Sequence, residues 1–165
     1  MSIKLVPYDA RWADGYRAAA DRIAASLGPT ALLVEHVGST AIPGMLAKPV
    51  VDVLVLVRQY DPEDAYVTPL TALGYSYGHR DSDHVFMTGR QEELAFHVHV
   101  VEADAPNAME MVTFRDYMRT HPAEAERYVV LKRQLAAEHD RGEDYATAKT
   151  TFVREVLRRA TAPST

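Results

Sequence analysis

Seven of the eight positions in 50–57, VVDVLVLV, are apolar, the pattern of a strand covered on both faces in the middle of a sheet. The stretch 31–37, ALLVEHV, predicts another strand, running into the polar turn GST. Ahead of both, IKLVPY predicts a short edge strand stopped by Pro7. Asp9 then caps a helix reaching about Leu27, with Trp12, Tyr16, Ile23 and Leu27 at near-helical spacing. Asp61-Pro62 predicts a second helix, capped by Asp61, started at Pro62 and ended at Gly74. A hairpin follows, in which DHVFMTG and LAFHVHVVE are joined by the polar RQEE. From Asn107 onward the character is helical: MEMVTFRDYMRTH up to Pro122, PAEAERYVVLKRQLAAEH from that proline, and YATAKTTFVREVLRRA after the break DRGED. The tail TAPST reads as a frayed end. The expected architecture is one α+β domain over 1–165, with a mixed sheet of four to five strands in about 1–104 and a helical region in about 107–160.

Composition narrows the classes. With 165 residues, 47% apolar and 25% charged, the chain can build its own core. A net charge of −5 argues against a general nucleic-acid binder, and leaves room for a local cationic pocket. The absence of cysteine removes disulfides, thiolate metal sites and cysteine nucleophiles together. The start, MSIKLVPYDARW, has no long apolar stretch, and no window approaches the roughly 18 apolar residues of a membrane span. The expected location is cytoplasmic, with no membrane partner. A homodimer is compatible with the sequence, and nothing in the sequence demands one.

One residue breaks the apolar pattern of 50–57. Asp52 shares a strand face with Val50, Leu54 and Leu56, and an unpaired buried carboxylate would sooner take up a proton than stay charged. Its partner is a base, backbone N–H groups or a metal ion. His97 and His99 in FHVHV lie two apart, on one face of their strand, where two imidazoles can chelate a divalent ion or simply face water. His36, two residues before Gly38, is a further candidate ligand. Between them runs GSTAIPGMLAKP, in which Gly38 and Gly44 supply backbone freedom, Ser39 and Thr40 supply hydroxyls, and Lys48 supplies charge for a phosphate. The order matches neither a Walker A loop nor a nucleophile elbow. In the helical third, bases and aromatics recur at i,i+4: Arg115 with Arg119, Tyr128 with Lys132, Tyr145 with Lys149. They are either solvated neighbours of packing stripes through Phe114, Met118, Leu131, Leu135, Phe152 and Val156, or part of an anion-binding wall.

These residues resemble a known family. EHVGSTAIPGMLAKPVVDVLV is similar to the signature of the GrpB (UPF0157) family, through His36, Gly38, Ser39, Thr40, Pro43, Gly44, Lys48, Pro49 and Asp52, with Met45 where leucine is usual. HVHVVE resembles its H-x-H-V strand, FRDYMRTHP its F-R-D motif, and YATAKTTFV its Tyr145 and Lys149 positions; the likeness spans roughly 3–158. The resemblance implies the nucleotidyltransferase superfamily and its polymerase-β-like fold. There, a Gly-Ser turn grips a nucleoside triphosphate and three carboxylates hold two Mg²⁺ ions. By that likeness Asp52 is the catalytic first acid. The second acid position, however, is Leu54, and the later strand offers His97 and His99 where the superfamily has a carboxylate, a departure the GrpB pattern shares. Relatives also carry an arginine in the hairpin strand where this chain reads DSDHVFM, with His84 standing in its place.

The implied site therefore has Asp52, His97, His99 and His36 for one divalent metal (Mg²⁺, Mn²⁺ or Zn²⁺), and Gly38, Ser39, Thr40, Lys48, Arg115, Lys132 and Lys149 for phosphate. The expected ligand is a nucleotide or phosphorylated small molecule, and the leading expectation is a nucleotidyltransferase-like protein with an incomplete carboxylate triad. The alternatives are a non-catalytic accessory domain that keeps the pocket, as in the fusions of such domains to dephospho-coenzyme A kinase, and a single-metal phosphohydrolase.

Overall fold

A computed structural model of the protein describes residues 3–163; the first two residues and the last two of the TAPST tail lie outside it. Strands β1 (Ala31–Val37), β2 (Val50–Val57), β3 (Ser76–Arg80), β4 (His84–Gln91) and β5 (Leu94–Glu102) form one sheet in the order β1-β2-β5-β4-β3. β2 runs parallel to β5, and the other neighbouring pairs are antiparallel. The helices are α1 (Arg11–Leu27), α2 (Asp64–Ala72), α3 (Glu110–Thr120), α4 (Pro122–Glu138), α5 (Gly142–Ala148) and α6 (Thr150–Ala160). Among the described residues no helix is long and apolar enough to cross a membrane.

The two-residue alternation of the strands divides the sheet chemically. One face gathers Val51, Val53, Val55 and Val57 of β2, Val85 and Met87 of β4, and Phe96, Val98 and Val100 of β5. These pack on Trp12, Ala19, Ile23 and Leu27 of α1 and on Tyr66 and Leu70 of α2. Each large side chain removed from water there contributes about 1.5–3 kcal/mol. The opposite face is apolar only near β1 and the C-terminal ends of β2 and β5, where Val37, Leu54, Leu56 and Val101 meet Ala108 and Val112. A third cluster joins Ile42 and Met45, just past the Gly-Ser turn, to Phe114, Met118, Tyr128 and Val156 of the helical third. The helices therefore close over the turn and leave the middle of the second sheet face uncovered.

Several expectations are corrected. IKLVPY forms no strand; Val6 makes a single bridge to Ala47. Its place in the five-strand count belongs to β3, whose Ser76–Arg80 sequence SYGHR carries no apolar alternation and is mostly exposed. The second helix begins at Asp64 with Glu63 at its N-cap, so Asp61 and Pro62 lie ahead of it. Asp9 does accept the Arg11 backbone N–H at 2.9 Å, but from one residue ahead of the N-cap, which is Ala10. The C-terminal helix is two helices that meet at Lys149, and α5 starts inside the expected DRGED break.

Arg115 was expected to bind phosphate, and its guanidinium is occupied elsewhere. Nη1 donates to Glu35 Oε2 at 2.5 Å and to the His36 carbonyl at 2.8 Å, and Nε donates to Asp116 Oδ1 at 2.9 Å. One helical turn later, Arg119 forks onto the Ala41 carbonyl through Nε (3.0 Å) and Nη2 (2.6 Å). Two arginines of α3 thus hold the backbone on either side of the Gly38–Thr40 turn. Replacing Arg115 with Met should leave Glu35 without its partner and lower folding stability by about 3 kcal/mol, read as a fall in denaturation midpoint. Phosphate affinity lost with no change in that midpoint would show that Arg115 serves a ligand instead.

Candidate metal and phosphate site

Register places the chemistry. Asp52 lies opposite Val37 of β1 and His97 of β5, and Leu54 lies opposite His99, so these residues share the open sheet face. Asp52 Oδ1 is 2.9 Å from His99 Nε2 and 3.5 Å from His97 Nδ1. Phe86 of β4 packs its ring against both imidazoles, at centroid distances of 4.9 and 5.4 Å. Burial pushes the Asp52 carboxyl up, but the hydrogen bonds from His97 and His99 outweigh it and hold the group well below the usual carboxylate range. The carboxylate is therefore ionised, and it keeps about a quarter of its side chain open (27%).

The Gly-Ser turn is built against this carboxylate. Gly38 has φ of 73°, and a Cβ added there would sit 2.6 Å from Asp52 Oδ2. Only glycine satisfies both the backbone and the close approach. Beyond it Ser39–Ala41 forms a single 3-10 turn.

Three lysines surround the turn. Lys132 of α4 is buried; its Nζ donates to Ser39 Oγ at 3.1 Å and to the Leu46 carbonyl, and lies 4.6 Å from the centre of the Tyr128 ring. Lys149, between α5 and α6, and Lys48 both place Nζ over the ring of Tyr145, at 4.3 and 5.7 Å. Burial, and then the charge of Lys149, lower Lys132 to about 7. Burial lowers Lys149 as well; Asp52 opposes and Lys48 adds, leaving it at about 8. Such amines are short of anionic partners. They gain most from an incoming anion.

The structure brings together Asp52, His97 and His99, whose ligand atoms all lie within 4.8 Å, and sets Ser39, Lys48, Lys132 and Lys149 around the neighbouring turn. It does not bring His36 into the group. His36 pairs with Val53, which puts its ring on the other sheet face. There it stacks on Tyr16 (4.8 Å, 16°) and its Nε2 bonds Thr40 Oγ1 at 3.0 Å. Burial first, opposed by Asp52, lowers its pKa to about 4, so it is neutral. Thr40 is likewise turned inward, buried, with its hydroxyl engaged by His36. Sequence reasoning placed His84 only where relatives carry an arginine, and not beside the candidate metal ligands. Its Nε2 lies 3.1 Å from His99 Nδ1 and the two rings stack. The signal was faint: His84 is simply the first residue of a strand on the same face.

One carboxylate with two imidazoles fits a single borderline divalent ion of the Zn²⁺, Mn²⁺ or Fe²⁺ kind. It does not fit a pair of Mg²⁺ ions, which need hard oxygen ligands. The next position on the same face, Leu54, is fully buried among Val37, Leu56 and Val112, and supplies no donor. A 320 Å³ hollow walled by Tyr128, Lys149 and Arg154 includes one of the three lysines and none of Asp52, His97 and His99. A larger one of 530 Å³, lined by Ile42, Pro43, Met45, Met118 and Val129, contains none of the ligand groups. Chemistry outranks volume here, because the larger hollow has few polar groups.

The mixed five-stranded sheet with its helices has the polymerase-β-like fold. The Cid1 poly(U) polymerase, solved with Mg 3′-dATP bound, superposes with a TM-score of 0.56 at 15% identity, over 79% of this chain and 43% of that one. The chain itself belongs to the GrpB family, whose model, described as GrpB protein, matches residues 2–159. The crystal structure of the conserved protein GrpB from Enterococcus faecalis gives a TM-score of 0.82 at 29% identity, over 95% of this chain and 96% of that one. The UPF0157 protein BH1888 of Halalkalibacterium halodurans is 37% identical over 98% of this chain and 84% of its own length. The dephospho-CoA kinase of Mycobacterium tuberculosis is 30% identical over 95% of this chain, which spans 46% of that protein.

The lysines predict how stability depends on pH. Lys132 falls to about 7 and Lys149 to about 8 in the fold, below the ordinary 10.5, so from about pH 7 upward the unfolded chain holds protons the folded chain has released. Stability should then rise between about pH 7 and pH 9, by up to about 1.4 kcal/mol per pH unit for each such proton. Chemical denaturation of wild type and Lys132→Met across that window checks it. The variant should show the shallower slope, and parallel slopes would remove Lys132 as the source.

Proposed function

We propose that this protein binds a nucleotide or a phosphorylated small molecule together with one divalent metal ion, and that it transfers a nucleotidyl group. The observation that carries the reading is the ionised Asp52 held between two imidazoles and backed by the glycine of the Gly-Ser turn. Asp52, His97 and His99 would hold the metal, which when bound neutralises phosphate charge. Ser39 with Lys48, Lys132 and Lys149 would receive the phosphates, the lysines becoming fully charged as they do so. Sheet and helical third then act as one unit, since β2 and β5 supply the metal ligands while α4 and the α5–α6 junction supply the amines. A cytoplasmic location goes with a nucleotide ligand.

A second reading has specific support. Leu54 leaves the carboxylate set one short, and relatives named dephospho-CoA kinase contain this domain in less than half of their length. An accessory domain that binds the same class of ligand without turning it over accounts for both. The two readings share the pocket and differ in whether Asp52 supports a reaction.

Metal-stripped protein should gain several degrees in melting temperature with one nucleoside triphosphate or coenzyme A in the presence of Zn²⁺ or Mn²⁺. That is the shift that about 2.7 kcal/mol of binding linkage produces at a hundredfold excess over Kd. Asp52→Asn should erase it. Calorimetry in two buffers of different ionisation enthalpy, at about pH 8, should show net proton uptake as Lys132 and Lys149 recharge. A ligand that binds without turnover selects the accessory reading. No stabilisation by any phosphorylated ligand sinks both.

A further inference from the structure

Three more donor atoms converge on the open face of the sheet, outside the Asp52 group. His79 near the end of β3, Asp81 in the connection and His84 at the start of β4 place ligand atoms within 4.8 Å of one another. Both imidazoles approach the same oxygen, Asp81 Oδ2: His79 through Nε2 at 3.8 Å and His84 through Nδ1 at 3.9 Å. Those separations are too long for hydrogen bonds, so the three groups face a common volume without satisfying one another. An ion about 2.0–2.2 Å from each donor would set the donors about 3.0–3.6 Å apart. The two histidine–aspartate separations need to close by about 0.2–0.9 Å to reach that range.

The surroundings favour a cation and hold the ligands in place. The Asp81 N–H donates to the His84 carbonyl at 2.8 Å, fixing the connection. His79 stacks on Phe86 at 5.1 Å and His84 on His99 at 5.2 Å, which orients both rings before any ion arrives. Asp83 adds a second negative charge near His84. Arg80, which lies between His79 and Asp81 in sequence, is turned away onto Asp61 (2.7 Å) and Glu63 (2.8 Å). It does not compete for Asp81.

We infer that His79, Asp81 and His84 form a second site, for one divalent transition-metal ion of the zinc or nickel kind. Two nitrogens and one carboxylate oxygen disfavour Mg²⁺ and Ca²⁺, and leave positions open to water or to an exogenous ligand. The second site also opposes the first, a consequence that rests on the metal reading of Asp52. His84 Nε2 and His99 Nδ1 face each other at 3.1 Å. With a metal on His84 Nδ1 and another on His99 Nε2, each neutral ring carries its hydrogen on the inner nitrogen, and the two N–H groups collide. Filling one site therefore weakens the other, and a shared hydrogen between the rings suits single occupancy.

The test uses the full chain, stripped of metal, with Zn²⁺ alone as the probe in titration calorimetry. Asp52→Asn removes the first site and should bind one ion. The pair Asp52→Asn with His79→Ala should bind none, or bind at least tenfold more weakly. Asp81→Asn in place of His79→Ala should do the same. His79 and Asp81 are both more than half exposed, so neither change threatens the fold. An Asp52→Asn protein that binds no ion overturns the inference, as does a double variant that binds like Asp52→Asn. His79→Ala alone should retain one ion through Asp52, His97 and His99; its loss would sink the Asp52 reading instead, so the two failures are separable.

Discussion

The approach of the Gly38 backbone to the Asp52 carboxylate is the constraint on which the rest of the site depends. A side chain at residue 38 would occupy the position of the carboxylate oxygen, and the positive φ there is one that other residues resist. The turn can therefore follow β1 closely enough to present Ser39 beside Asp52. What holds it there is α3, through Arg115 on the His36 carbonyl and Arg119 on the Ala41 carbonyl. A ligand at the turn meets a backbone already fixed on both sides. Little ordering entropy remains to oppose binding.

Charge follows the same logic at larger scale. The protein is anionic overall, yet three lysines gather around one turn, two of them with pKa values lowered to about 7 and 8. Burying amines without carboxylate partners costs stability, and an incoming phosphate relieves that cost. The rings of Tyr128 and Tyr145 lie under these amines and limit how far they can retreat. The arrangement leaves the amines short of the carboxylate partners that would stabilise their charge.

The relation to the Cid1 polymerase is one of shared frame. Superposition with Cid1 at 15% identity speaks for the fold alone. Within that frame Leu54 is packed into the apolar patch beneath α3, and His97 and His99 lie beside Asp52 on the open sheet face. Two ring nitrogens beside one carboxylate oxygen suit a borderline ion better than a hard one. His84 and His79 extend the imidazole character outward to the edge of the sheet.

The sequence by itself determined the central strands, the Gly-Ser turn and the pairing of two histidines on one strand face, because alternation and turn chemistry are local properties. The apolar run 50–57 left Asp52 as its one charged member, and that residue is at the centre of the site. Three matters were decided only by tertiary structure. The face occupied by His36 depends on how β1 registers against β2, and a one-residue change of register exchanges the faces. The setting of Arg115 depends on Glu35, eighty positions earlier, which accepts from its guanidinium. The contact between His84 and His99 exists because β4 folds back along β5, and the mostly exposed β3 was invisible for want of any apolar period to betray it. Local pattern announces which residues must be buried or must turn, but which partner each polar group meets is settled by packing between segments distant in the chain.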